Sequence, residues 1–442
     1  MLQNIEAVPD SGEFPQAVDV VVIGAGIVGT AAAYELARKG VRVALFEKGL
    51  VGAEQSSRNW GWCRQQNRDH RELPLAMYSL RRWGELGAET GEELGFRRSG
   101  IVYATTRQSE IDTWQAWGTK ARDFGFTSEI LTPSRARELT SGSTTQWLGG
   151  VWSHDDGHAD PFRASPALAR AAQKLGALVH QNCAVRGLDI EAGRISGVWT
   201  ERGLVRASTV VCAGGTWASL FCRRHGLTLP LAHVNGTAML TSDAAPGVIS
   251  TPLYTPTFAL RPTIDGAYAL SVSGRGRLEI TPQLFRHARQ FWPGFRNRLP
   301  NLKIRIGKSF FRGPEANEHW QMDGESPFER QRIVDPAPDH AMVDEALRAI
   351  KKEYPAMAAL QVVRAWGGLI DSTPDLIPVI SPAGPQGLLI AAGFSAHGFG
   401  IGPGAGRLVA DLVCGDTPIV DPAPFRHARL VDGTELGKPG MI

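Results

Sequence analysis

Near the start of the chain, apolar and polar positions switch from a strand period to a helical one and back. After a polar start, VVVIG at 20–24 is an unbroken apolar run of strand length. IVGTAAAYELARKG at 27–40 places apolar residues at helical spacing and stops at Gly40, and VRVALFEK at 41–48 reads as a second strand. This order predicts a βαβ unit with two parallel, buried strands. Further on, RASPALARAAQKLG at 163–176 predicts an amphipathic helix. Short alternating segments follow in ALVHQNCAVRGLDI, RISGVWT and LVRA, leading to a buried strand in STVVCAGG at 208–215. From Gln361 the β-like pattern resumes, and it ends in a strand, a glycine loop and a helix within GLLIAAGFSAHGFGIGPGAGRLVADLV at 387–413.

Between these regular stretches the pattern turns irregular, with charged helices, Pro-rich turns and Trp. Two lobes are therefore expected, one inserted twice into the other. Segments 1–80, 150–222 and 356–442 should build the first lobe, and 81–149 and 223–355 the second. A chain of 442 residues is long enough for two cores. No repeat or low-complexity linker separates them, so a site between packed lobes is expected.

Composition narrows the chemistry. The formal net charge is +3 with 21% charged residues, and Lys and Arg read as scattered rather than striped, which argues against nucleic-acid or membrane-surface binding. The five cysteines, Cys63, Cys183, Cys212, Cys222 and Cys414, are far apart and form no CxxC pair, so neither a disulfide framework nor a metal site is expected. The polar N-terminus lacks an apolar h-region, and no run of about 18 apolar residues occurs. A cytoplasmic protein acting on a small molecule is expected.

Gly24, Gly26 and Gly29 form GAGIVG between the first strand and its helix. In that position a tight turn, a close backbone approach to pyrophosphate and close helix–strand packing each exclude a Cβ. The helix N-terminus, with Ile27 and Val28, then faces the phosphates. Glu47 ends the second strand, where a carboxylate can accept from ribose hydroxyls and repel a 2′-phosphate.

Three further segments bear on which dinucleotide binds. GLVGAEQSSRNWGWCR after Glu47 is a Ser-rich loop, with Lys48, Ser56, Ser57, Arg58, Asn59 and Trp60, suited to wrapping a flavin's pyrophosphate and ribityl chain. TVVCAGGTW supplies a strand and small-residue turn with Ala213, Gly214 and Trp217. The C-terminal glycine loop, with Gly393, His397, Gly398, Phe399, Gly400 and Ile401, offers backbone N–H groups to an anionic flavin edge. In this order, from about Val18 to Gly415, the segments resemble the D-amino-acid oxidase superfamily, which includes glycine oxidase, sarcosine oxidase and D-amino-acid dehydrogenase. The resemblance implies an α/β protein (α+β overall) with a Rossmann-like FAD-binding domain and a discontinuous, mixed-sheet substrate domain. It adds Val185 and Gly368 to the expected FAD contacts.

What the resemblance implies for chemistry is oxidation of a C–N bond next to a small substrate's nitrogen, giving an imine that hydrolyses. The substrate would be an amine or an amino acid: a D-amino acid, cyclic imino acid or N-alkyl amino acid. O₂ or an electron-transfer protein would take the electrons. Arg64 stands where sarcosine-oxidase-like members clamp the substrate carboxylate, anchored by the following RELPLA. Arg261, in TFALRPTIDGAYALSV, lies on a strand resembling the pocket floor, with Tyr254 just upstream, and His397 faces the flavin. Trp60 and Trp62 are candidates for the pocket wall. Sarcosine oxidases attach FAD through a Cys in the segment matching RAWGGLIDSTPD. Gly368 stands there, so FAD is expected to be non-covalent. The lysine such enzymes use on O₂ has no counterpart between Tyr254 and Gly274, and Gly400 replaces their C-terminal lysine. The alternatives are an FAD-dependent 2-hydroxy-acid or polyol-phosphate dehydrogenase of related fold, or the flavoprotein subunit of a larger complex.

Overall fold

A computed structural model describes residues 5–243, 248–298 and 302–437. Positions 1–4, 244–247, 299–301 and 438–442 of the expected lobe segments lie outside the described residues. The βαβ unit forms as read: strand Val20–Ile23, helix Ile27–Arg38 and strand Val43–Phe46. In register, Val22 faces Leu45 on one side and Val211 on the other. Around this pair a six-stranded sheet assembles in the order Val379–Pro382, Leu388–Ala392, Thr209–Cys212, Val20–Ile23, Val43–Phe46, Leu178–His180. All its pairs are parallel except the one made by the edge strand Val379–Pro382. Apolar residues fill both faces of the inner strands, as a parallel sheet covered on both sides requires. A separate antiparallel sheet takes Val185–Glu191, Arg194–Thr200 and Gly203–Arg206.

The other large sheet has ten strands and carries the second lobe. Its longest pairing joins Ala232–Thr241 to Val362–Ser372, and Ile101–Thr105 pairs with Gly149–Ser153. The sequence pattern places residues 150–153 and 362–372 with the nucleotide-binding segments, yet they hydrogen-bond into this sheet. Their apolar pattern suits either sheet, and only the strand partner distinguishes them.

The C-terminal glycine loop is a helix. Gly398–Cys414 is helical through Gly398, Gly400, Gly402, Gly404 and Gly406, with Pro403 inside. Five glycines oppose a helix by roughly 0.5–1 kcal/mol each relative to Ala, but here they permit close packing. A Cβ on Gly406 would lie 2.5 Å from the Ala31 carbonyl carbon, one on Gly402 2.7 Å from Ile27, and one on Gly404 3.0 Å from Leu75 O. Three helices, Ile27–Arg38, Leu73–Thr90 and Gly398–Cys414, thereby meet at backbone distance beneath the nucleotide turn. Among the described residues no helix is long and apolar enough to cross a membrane.

Candidate active site

The glycine turn leaves no room for side chains. Gly24 has φ 95°, and a Cβ there would stand 2.6 Å from Ala213 O; one on Gly29 would stand 1.9 Å from Gly24 O. Ser56 Oγ accepts the Ile27 N–H at 2.9 Å and so ties the Ser-rich loop to the helix start. Half-buried Glu47 accepts from Ala25 N and Gly49 N, both at 2.8 Å, and desolvation raises its pKa. These residues open onto a cavity whose walls include Lys48, Val185, Ala213, Gly214 and Trp217. Ile27, Val28 and Gly29 shape the helix start, and Val28 points into the core.

Other expected contacts serve the loop itself. Ser57 Oγ donates to Glu54 O, and Asn59 closes its own turn through Gln55 O, Ser56 O and Gly61 N. Arg58 is buried; it pairs with Asp335 at 2.5 Å and donates to Gly367 O. A Cβ on Gly368 would lie 2.6 Å from Gln55 Oε1, so no larger residue fits without displacing that side chain. Gly393, at φ 77°, donates to Asp371.

The cavity also has residues that sequence reading missed. Gln55, Thr216, Phe328 and Asp371 line it. Gln55 Oε1 and Thr216 Oγ1 are buried with no hydrogen-bond partner among the described residues, an arrangement that favours a polar ligand. Burial pushes the Asp371 carboxyl up to about 6. Glu54 is the hub of the rim: Lys48 Nζ donates at 2.6 Å, Trp217 Nε1 at 3.2 Å and Val334 N at 3.0 Å. Lys48 also lies 4.7 Å over the Trp217 ring and donates to the Gln331 and Arg332 carbonyls. Phe328 and Val334 come from a distant part of the chain, and no local pattern announces them.

A second cluster lies where the glycine helix meets strand Trp62–Cys63; a Cβ on Gly400 would stand 2.9 Å from Trp62 O. Trp60, Trp62, Tyr103, Trp114 and Tyr254 form one aromatic wall, Tyr103 lying 5.6 Å from Tyr254 and 6.1 Å from Trp62. Tyr103, absent from the sequence reading, stands with its hydroxyl 3.4 Å from Arg64 Nη1 and so links Arg64 to Tyr254. Arg261 is buried and donates to Trp60 O at 2.7 Å. A surface pair of Arg261 with Asp265, the alternative its strand position allows, is not formed. Arg68, one turn from Arg64, is fully buried, and its Nη1 has no partner among the described residues. Among the described residues, none of Arg64, Arg68 and Arg261 forms an ion pair. Burial and the Arg64 charge lower the Arg68 pKa to about 10, and burial lowers that of Arg261.

His397 caps the glycine helix after two non-glycine residues at positive φ, Ser395 at 52° and Ala396 at 69°. Such backbone persists where its surroundings hold it, often at functional sites. Its Nδ1 is 2.8 Å from Glu72 Oε2, while its Nε2 is buried and has no partner among the described residues. Burial and the Arg68 charge hold His397 down at about 4. Burial opposes ionisation of Glu72, but His397 and Arg68 outweigh it and keep the carboxyl below its usual range. At neutral pH His397 is therefore a neutral ring that donates from Nδ1 and presents Nε2 as an acceptor.

Residues 19–412 match the family described as DAO, FAD dependent oxidoreductase. The chain belongs to this family. Glycine oxidase of Geobacillus kaustophilus is 27% identical over 433 residues, covering 96% of this chain and 98% of that protein. Rat mitochondrial dimethylglycine dehydrogenase is 26% identical over 96% of this chain, which spans about half (46%) of that relative. The solved L-amino acid deaminase of Proteus myxofaciens, in complex with anthranilate, superposes with a TM-score of 0.91 at 30% identity over 96% of both chains. The chain thus carries an FAD-dependent oxidoreductase domain of the DAO fold. The cavity fits FAD: its glycines exclude Cβ atoms beside a helix N-terminus, the Glu47 carboxylate stands on its wall, and two polar atoms lack partners among the described residues.

Proposed function

We propose that the protein oxidises the C–N bond of a free α-amino acid with an apolar or aromatic side chain, using non-covalent FAD. The observation that carries this reading is the set Arg64, Arg68 and Arg261, guanidinium groups at an aromatic wall without a carboxylate partner among the described residues. A buried cation is costly unless it is paired, and a substrate carboxylate supplies the missing anion with the geometry a guanidinium prefers. Tyr103 and Tyr254 add hydroxyls on the same side, and Trp60 and Trp62 offer rings to an apolar side chain. The bare Nε2 of His397 can accept a hydrogen bond from the substrate amine, whose oxidation requires an unprotonated nitrogen.

The chemistry the cofactor supplies when bound is two-electron acceptance of a hydride equivalent from the carbon bearing nitrogen. The protein's own part is to orient that carbon, neutralise the carboxylate and exclude water. Gly368, where a covalent attachment would need Cys, supports a dissociable flavin.

Anaerobic bleaching of the flavin by a panel of L-, D- and N-methyl amino acids and 2-hydroxy acids tests the reading. Rapid bleaching by amino acids with apolar side chains, with ammonia released, is expected. Bleaching by 2-hydroxy acids alone would sink it. Reoxidation in air then separates oxidase from dehydrogenase.

A further inference from the structure

Glu72 is fully buried at the start of helix Leu73–Thr90, yet its carboxyl stays ionised. Its Oε2 accepts from His397 Nδ1 at 2.8 Å, while its Oε1 has no partner among the described residues. A neutral Gln in its place would hold the same ring through its side-chain carbonyl and escape the cost of desolvating a charge. The negative charge therefore points to more than a fixed ring.

The charges around that ring are opposed. His397 caps helix Gly398–Cys414, whose positive end disfavours a proton on the imidazole. Arg68 and Arg64 act in the same sense, and Glu72 acts against them. Arg71, next to Glu72 in sequence, pairs with Asp69 at 2.9 Å and with Asp375 at 3.4 Å. In the free protein this balance keeps the ring neutral, and its Nε2 is buried with no partner among the described residues. A carboxylate that pairs with Arg64 and Arg68 cancels their charge and leaves that of Glu72, so the ring gains basicity only when such a group is seated.

We propose that His397 and Glu72 together are the base that frees the amine of an amino-acid substrate, His397 taking the proton and Glu72 serving as its positioning residue. The N–H bond of the substrate ammonium breaks and leaves its electron pair on nitrogen, and a new N–H bond forms at His397 Nε2. The imidazolium so formed donates from Nδ1 to Glu72, whose charge offsets it. It returns the proton to solvent once the product has left, and no group of the protein is oxidised or reduced in this step. Ser395 and Ala396, both at positive φ, fix the backbone from which the ring projects. The inference rests on the proposed amino-acid substrate and adds to it the group that accepts the ammonium proton.

Stopped-flow flavin reduction by one bleaching amino acid, followed from pH 6 to pH 10, tests it. In the wild-type protein the proton stays within the complex, so the rate should be level across most of that range. H397N must wait for solvent to take the proton. Its rate should be lower by roughly a hundredfold to ten-thousandfold at pH 7, and should climb about tenfold per pH unit until the free amine predominates. E72Q keeps the hydrogen bond but loses the charge and should show the same slope, whereas E72D should restore part of the plateau. The bound flavin's absorbance confirms that each variant is folded. A structural role alone would lower the rate by one factor at every pH, so parallel profiles would overturn the proposal.

Nitrogen NMR of the flavin-loaded protein with isotope-labelled histidine separates the base from the substrate reading. The signal missing from H397N should report a protonated Nδ1 and a bare Nε2. Benzoate, a carboxylate with no amine to oxidise, should raise the pH at which Nε2 takes up its proton. The opposite tautomer, or a titration that bound benzoate leaves unmoved, would overturn the base even if amino acids bleach the flavin. Failure of every amino acid to bleach it would overturn the substrate reading, and the base with it.

Discussion

Glu54 Oε1 receives the backbone N–H of Val334 at 3.0 Å, joining two distant parts of the chain across the rim of the cofactor cavity. Together with Lys48, Trp217 and the pair of Arg332 with Glu201, this contact straps segment 328–335 over the nucleotide end. Removing Glu54 leaves Lys48 without its carboxylate, and a hydrogen bond to a charged group is worth about 1.5–3 kcal/mol. Glu54→Ala should therefore release FAD roughly tenfold to a hundredfold faster, read as the rise of free-flavin fluorescence after dilution. An unchanged rate would mean that the strap does not retain the cofactor.

Arg64→Ala and Arg261→Ala should each slow anaerobic flavin reduction by about a thousandfold, because a buried substrate carboxylate left without its cation costs roughly 3–5 kcal/mol. Arg68→Ala tests whether the third guanidinium shares the load. Arg122→Ala, at an exposed position, is the comparison. Wild-type reduction in both Arg64→Ala and Arg261→Ala would remove the carboxylate from the proposal and favour a simple amine.

Gly406→Ala sets helix propensity against packing. Propensity alone predicts a gain of up to about 1 kcal/mol, whereas the added methyl would stand 2.5 Å from the Ala31 backbone and overpacking costs about 1–3 kcal/mol. A lower melting temperature is expected. A higher one would show that the helices can separate without penalty.

Stability should fall as pH drops from about 6.5 towards 4. Burial depresses His158 and His233 to about 3 and His225, His287 and His397 to about 4. Each stays neutral in the folded chain where the unfolded chain takes up a proton, so unfolding binds protons in that window and acid favours it. Burial raises Asp371 to about 6 and Glu315 to about 8; these acids act in the opposite sense and offset two of the five. The melting temperature measured across this range should decline with acid. A flat or rising profile would mean that the histidines are not buried neutral.

The nucleotide end of the site is legible in the sequence because its signals are local. A strand, GAGIVG, a helix and Glu47 sit in one short stretch of chain, and each glycine answers to a nearby backbone contact. The glycine helix reads as a loop because propensity is local while its compensation, backbone contact with Ile27–Arg38 and Leu73–Thr90, is tertiary. Arg64 and Tyr254 can be named one at a time, but what joins them is Tyr103, a core-like residue on a strand of the other lobe. Arg68 carries no local signal in the sequence that tells it from a surface arginine, and folding buries it.

By itself, then, the amino-acid order determined the βαβ unit and the class of cofactor, since these depend on neighbours a few positions away. Only the tertiary structure decided which sheet takes strands 149–153 and 362–372, which arginines lose their water, and that Glu72 faces His397. Those outcomes rest on burial and on partners brought together from distant positions, which periodicity along the chain does not record.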